Sequence, residues 1–111
     1  MAASADERLD LVFGALADRT RRALLAQLSH APASISQLAG PHQMSLPAVS
    51  KHLRVLEHAG LIRRTIDGRV HRCRLDAAAM READQWLEHY RVFWDHTLSA
   101  LSDYIGESGD E

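Results

Sequence analysis

Ser45-Leu-Pro-Ala-Val-Ser-Lys-His-Leu-Arg-Val-Leu-Glu-His-Ala-Gly60, followed by Leu61-Ile-Arg-Arg-Thr-Ile-Asp-Gly-Arg-Val-His-Arg-Cys-Arg74, reads as a helix, a sharp stop and a basic hairpin. Leu46, Val49, Leu53 and Leu56 recur at helical spacing and predict one apolar stripe. The opposite side then carries Pro47, Ala48, Lys51, Arg54, Val55 and His58, with Ser50 and His52 on the flanks. Ser45 suits the N-cap, because its hydroxyl can accept from a free backbone N–H. Pro47 is tolerated only because it lies in the first turn. Gly60 is suited to the left-handed position that ends a helix. An outward face that is short-chained at its start and cationic further along suits a helix entering a DNA major groove by its N-terminal end.

Charge supports that reading. The 111-residue chain has a net charge of −2, which argues against a uniformly basic surface. Residues 45–75 nevertheless hold seven Lys or Arg and two acids, a local +5 against −7 elsewhere. Positive potential is thereby gathered on one surface. The length suits one domain with a modest core. Cys73 is the single cysteine, so an internal disulfide is impossible and a reducing cytoplasm is the expected setting. No apolar run approaches the ~18 residues of a membrane span, and the start lacks the order of a signal peptide.

Working outward, Asp6 to Ala17 predicts a first helix with Leu9, Val12, Phe13 and Leu16 on one side. Asp18 can cap a second helix that buries Ala23, Leu24, Leu25 and Leu28. Arg19, Arg21 and Arg22 crowd its first turn, where the helix dipole disfavours cations. They either pair with acids, stay solvated, or contact phosphate. Ala31-Pro32-Ala33 reads as a connector. Ser34 with Gln37 forms a capping box for a short helix that Gly40-Pro41 stops. Short helix, turn and longer helix make a helix-turn-helix.

Beyond Gly60, Leu61 to Ile66 and Arg69 to Leu75 predict two strands around an Asp67-Gly68 type I′ turn. That pairing puts Ile62, Cys73 and Leu75 on an inner face. Arg63, Arg72 and Arg74 share the outer one, with Arg64 and Arg69 nearer the tip. A phosphate backbone would relieve the repulsion among these arginines. Asp76 can cap a last helix to about Ile105, whose apolar side includes Trp86, Tyr90, Phe93, Trp94, Leu98, Leu101 and Tyr104. That side is either buried by a second copy of the chain or packed on the first helix.

With these residues in view, the chain resembles the ArsR/SmtB-type winged-helix regulators. Leu16-Ala-Asp-Arg-Thr-Arg-Arg22 with Leu24-Leu25 is similar to the family's opening signature. Met44 to Glu57 with Ala59-Gly60-Leu61 is similar to its recognition-helix block. The resemblance covers roughly residues 8–105. It implies a bacterial homodimeric DNA-binding repressor in which the first and last helices make the dimer. Its recognition positions fall on Ser45, Pro47, Ala48, Ser50, Lys51 and His52, and its wing on Arg63 to Arg74. Two elements of metal-sensing members are missing. Ile35-Ser36-Gln37-Leu38 holds no Cys-x-Cys, and Asp84-Gln85-Trp86 has Trp where a metal-binding His would stand.

Other chemistry finds less support. His89 and His96 lie about 10 Å apart along one helix face, too far for one ion without ligands from a second chain. A thiol switch at Cys73 competes with its reading as a small buried hydrophobe. No phosphate loop, metalloprotease motif or nucleophile elbow appears, and Ser50 and His52 diverge around a helix.

The expectation is therefore a mainly α winged helix-turn-helix of order α-α-α-α-β-β-α in a single domain, 1–111. Its parts are a helix-turn-helix at 34–59, a wing at 61–75, a dimerisation helix at 76–105, and disordered ends at 1–5 and 106–111. Ser45, Pro47, Ala48, Ser50, Lys51, His52 and Arg54 are expected at base edges, and Arg21, Arg22, Arg63, Arg64, Arg69 and Arg72 at phosphates. Leu9, Val12, Phe13, Trp86, Tyr90, Phe93, Trp94, Leu98 and Leu101 are expected between two copies. The expected partners are duplex DNA and a second copy, with no cofactor, metal, membrane or enzymatic activity. A ligand pocket near Trp86, Tyr90 and Phe93, or a protein-docking role for the winged helix, are the competing readings.

Overall fold

Each helix begins at a residue whose side chain satisfies an orphan N–H. The structure, a computed structural model, describes residues 4–109, with side chains as far as 106. Helix α1 (Ala5–Leu16) starts at Ser4, whose hydroxyl accepts from the Glu7 N–H. Asp18 does the same for α2 (Arg19–His30), accepting from the Arg21 N–H at 2.9 Å. The Ser34–Gln37 box is closed in both directions at the head of α3 (Ile35–Ala39). A single 3-10 turn over Gly40–His42 follows, and Gln43, at φ 51°, redirects the chain to Ser45. Ser45 then caps α4 (Leu46–His58). Gly60, at φ 78°, ends it in the left-handed conformation that a side chain disfavours.

The segment read as a connector contributes a strand. Ala33–Ser34 forms β1 and pairs antiparallel with β3 (Val70–Leu75), which pairs in turn with β2 (Ile62–Asp67). The sheet order is β1-β3-β2, three strands where two were expected. The hairpin turn also lies one residue further on than expected. Asp67 pairs with Val70, so Gly68 and Arg69 form the loop. Gly68 has φ 63°, and among the described residues Gln43 is the only non-glycine with positive φ. Positive φ at the first loop residue alone is the type II′ pattern, which places the strained position on glycine. A type I′ turn would have forced it on Asp67 as well. The slip shifts each partner by two residues and preserves the faces, so Ile62, Cys73 and Leu75 still share one side.

The core is assembled from all these elements. Val12 and Ala15 of α1 meet Leu24, Leu25 and Leu28 of α2. Leu38, Val49, Leu53, Leu56, Leu61, Ile62 and Cys73 close it from below. Leu46, expected in the α4 stripe, is half exposed at 50%. It sits at the first helical position, beside the groove that it lines with Ile35 and Val70. Helix α5 (Ala77–Gly109) begins where Asp76 accepts from the Ala78 N–H. It packs on α1 through Ala83, a T-shaped Phe13–Trp86 pair at 5.5 Å and the Arg8–Glu82 ion pair. It continues as helix past Ile105, where an acidic disordered end was expected. Gly106 alone costs a helix only about 1 kcal/mol. At the other end Ser4 caps α1 and Ala5 is its first residue, whereas residues 1–3, 110 and 111 lie outside the described residues. The long α5 stretches the molecule to 69 × 37 × 20 Å.

A Cβ at Gly60 would meet Ala79 Cβ at 3.6 Å, an ordinary contact, so any cost there comes from the backbone. Gly60→Ala is expected to destabilise the fold by about 1–2 kcal/mol. Gly60→Asn should cost less, because Asn tolerates the left-handed region. Urea unfolding of both variants at one fixed protein concentration checks the order.

Candidate nucleic-acid interface

Helix α4 buries Val49, Leu53 and Leu56 completely, which fixes the direction of every other side chain on it. Ser45, Pro47, Lys51 and Arg54 are exposed, and Ala48 and Ser50 are half-buried. Ser45 is partly committed, since its hydroxyl accepts from the Ala48 N–H at 3.3 Å. Among the described residues, Lys51 and Arg54 form no side-chain hydrogen bond or ion pair, and neither do Arg69 and Arg72 on the hairpin. A groove of about 410 Å³ joins the start of α4 to the hairpin tip, lined among others by Leu46, Pro47, Ser50, Arg69 and Val70. The helix and hairpin halves of the expected interface therefore share one surface.

Four of the expected cationic contacts are otherwise occupied. Arg21 and Arg22 reach back to the end of α1, whose last carbonyls have no helical partner. Arg21 Nε donates to Ala15 O at 2.8 Å and its Nη2 to Gly14 O at 3.1 Å, while Arg22 Nη1 donates to Leu16 O at 2.7 Å. Cations unfavourable at the N-terminus of α2 are thus favourable at the C-terminus of α1. Arg63, although exposed, donates from Nε to Asp76 Oδ2 at 2.7 Å. That hydrogen bond, then the Ala78 N–H and the charge of Arg74, hold the Asp76 carboxyl below the usual carboxylate range. It also relieves the repulsion between Arg63 and Arg74, which face each other across the strands.

Arg64 is the clearest departure. It pairs opposite Cys73 on the inner face, and its side chain is only 14% exposed. Its Nε lies 3.5 Å from Glu57 Oε2 without hydrogen-bond alignment, and its Nη1 lies 3.5 Å from His71 Nδ1. It joins hairpin to α4 and does not point toward an external phosphate. Cys73 beside it is fully buried, and that burial pushes its thiol up, against the pull of Arg64.

His52, expected at base edges, faces inward. Its Nδ1 lies 3.3 Å from Arg21 Nη1 and 3.9 Å from Asp18 Oδ1. The Arg21 N–H that Asp18 caps holds this carboxyl below its ordinary range. Burial opposes that effect, while the nearby Arg21 charge, and His52 when protonated, add to it.

The expected dimer residues divide in two. Val12 is 1% exposed within one chain, so it belongs to the core, and Leu9 packs against that core. Phe13, Trp86, Tyr90, Phe93, Trp94, Leu98 and Leu101 are exposed, Phe93 at 65% and Leu98 at 63%. Leu87, on the same apolar side, is exposed too, as are Val92 and Ile105, which the sequence reading did not place there. Apart from Val92, the exposed apolar side chains from Trp86 to Ile105 follow one helical stripe. A hollow beside Trp86 is lined from α1 by Leu9, Asp10 and Phe13, without Tyr90 or Phe93. Among the described residues no cluster of three His, Cys, Asp or Glu is placed to hold a metal ion, and no helix is long and apolar enough to cross a membrane.

Residues 16–65 match the family model described as a helix-turn-helix domain. The chain is 34% identical over 102 residues to the HTH-type transcriptional regulator Rv2034 of Mycobacterium tuberculosis, covering 92% of each. The crystal structure of the ArsR family transcriptional regulator RHA00566 is 41% identical. It superposes with a TM-score of 0.76 over 86% of this chain and 97% of that one. A homodimeric winged helix-turn-helix DNA-binding domain, Mb0332 from Mycobacterium bovis, shares the fold at 23% identity. Its TM-score is 0.61 over 90% of this chain and 95% of that one. With similarity running through nearly its whole length, the chain belongs to the ArsR family of winged helix-turn-helix transcriptional regulators.

Proposed function

We propose that a homodimer of this chain binds a pseudo-palindromic duplex site and represses transcription by occupying a promoter. The observation that carries the reading is the single surface on which Pro47 and Ser50 of α4 meet Arg69 of the hairpin. Lys51, Arg54 and Arg72, exposed and without side-chain partners among the described residues, add to it. In this reading Ser45, Pro47, Ala48, Ser50 and Lys51 face base edges, where Lys51 or Arg54 suits the guanine N7 and O6 acceptors. Arg69 and Arg72 hold phosphates or enter the minor groove. The α5 stripe is covered by a second copy, whose recognition helix would then stand about 34–36 Å away along the duplex. The homodimeric state of the M. bovis domain supports that arrangement.

Footprinting the purified protein upstream of its own gene tests the reading directly; no protected region on that fragment would refute autorepression. Lys51→Ala should weaken binding to the protected site far more than to random duplex. Equal loss on both removes Lys51 from base reading. The double variant Arg69→Ala/Arg72→Ala should weaken all sequences alike and flatten the log K against log salt slope by about 0.9 per lost phosphate contact. Trp94→Ala should raise the dimer dissociation constant by about tenfold or more, as expected for an aromatic at the centre of an interface. Sedimentation at nanomolar to micromolar concentration reads that change.

A further inference from the structure

Arg21 makes three contacts that together span three helices. Its Nε and Nη2 hold the Ala15 and Gly14 carbonyls of α1, and its Nη1 reaches Nδ1 of His52 on α4 at 3.3 Å. A guanidinium is always charged and only donates. For this contact to be a hydrogen bond, Nδ1 must accept, so the ring is neutral with its proton on Nε2. His52 immediately follows Ser50 and Lys51 in the sequence, on the same helix. We propose that His52 is a positioning residue for the DNA reading given above. Its neutral ring accepts from Arg21 and so locks the recognition helix to the corner between α1 and α2.

Protonation reverses the contact. Nδ1 becomes a donor facing a cation, the Arg21 bond is lost, and Asp18 Oδ1, at 3.9 Å, is the remaining partner. The ring turns toward Asp18, and α4 exchanges its polar link to α1 through Arg21 for one to the N-cap of α2, while the core packing between α1 and α4 remains. The charged groups facing His52 are Arg21 of α2 and Asp18, the N-cap of that helix. Among the described residues neither the hairpin nor α5 places a charged group in hydrogen-bond or ion-pair range of it. Sequence discrimination therefore falls on acidification, even though added positive charge strengthens general attraction to phosphates.

The test uses the full chain and a duplex selected by the wild-type protein from a random pool, measured beside a scrambled duplex of the same composition. The ratio of the two affinities is followed from pH 7.5 to 5.5. The wild-type ratio should fall by about tenfold, the scale of one hydrogen bond to a charged group. His52→Asn keeps an acceptor near the Nδ1 position without the titration. It should hold the wild-type ratio at pH 7.5 and lose little at pH 5.5. His52→Ala and Arg21→Ala should show the lowered ratio at both. A flat wild-type profile, or the same acid loss in His52→Asn as in the wild type, overturns the proposal. Should His52→Ala fail to fold, the wild-type and His52→Asn profiles still decide it. Failure to select any preferred duplex would instead refute the sequence-specific reading on which the proposal rests.

Discussion

A helix can bury only one side, and α4 commits that side to Val49, Leu53 and Leu56. With those three at zero exposure, rotating the helix by one residue in one direction would carry Arg54 and Glu57 into the core, at a cost of several kcal/mol, and in the other would bury the His52 imidazole. The outward set is therefore settled by packing. Lys51 and Arg54 stay exposed, while His52 is carried inward beside Asp18 and Arg21. The chemistry offered to an external partner follows from what the core takes.

The same logic sorts the arginines, which composition alone treats as equivalent. Those next to an unsatisfied acceptor are used internally. Arg21 and Arg22 close the end of α1, Arg63 closes on Asp76, and Arg64 wedges between hairpin and α4. Among the described residues, Arg69 at the hairpin tip and Arg72 on its outer face have no side-chain acceptor within reach. The basic excess in residues 45–75 thus divides into cations that hold the scaffold and cations left for a ligand. Both groups keep their positive charge and add to the field an approaching polyanion meets, but only the second has donors free to contact it.

Much of this was legible because the signals are local. Ser34 with Gln37, Asp18, Ser45 and Gly60 each act within about one turn, and each stands where its residue type predicts. Less local matters were not. Arg21 and Arg22 find carbonyls six or seven residues back across a chain corner, an angle that no periodicity encodes. Strand β1 is two residues whose hydrogen-bonding partner lies far along the chain. Asp67-Gly68 and Gly68-Arg69 both suit a hairpin turn, and the choice depends on which residue carries positive φ. Arg64 was misread because alternation gives two faces, and charge was assumed to choose the wet one. Val12 was placed between copies because a helix face does not reveal where intramolecular packing stops and another molecule begins.

Cys73, the sole sulfhydryl, lies sealed in the central strand between β1 and β2. No alkylating reagent reaches it while those strands stay closed. Its labelling rate is consequently a clock for sheet opening, set by the fraction of time the strands part. A cargo that clamps the hairpin would slow that clock without touching the sulfur, and so the fold carries its own reporter of occupancy.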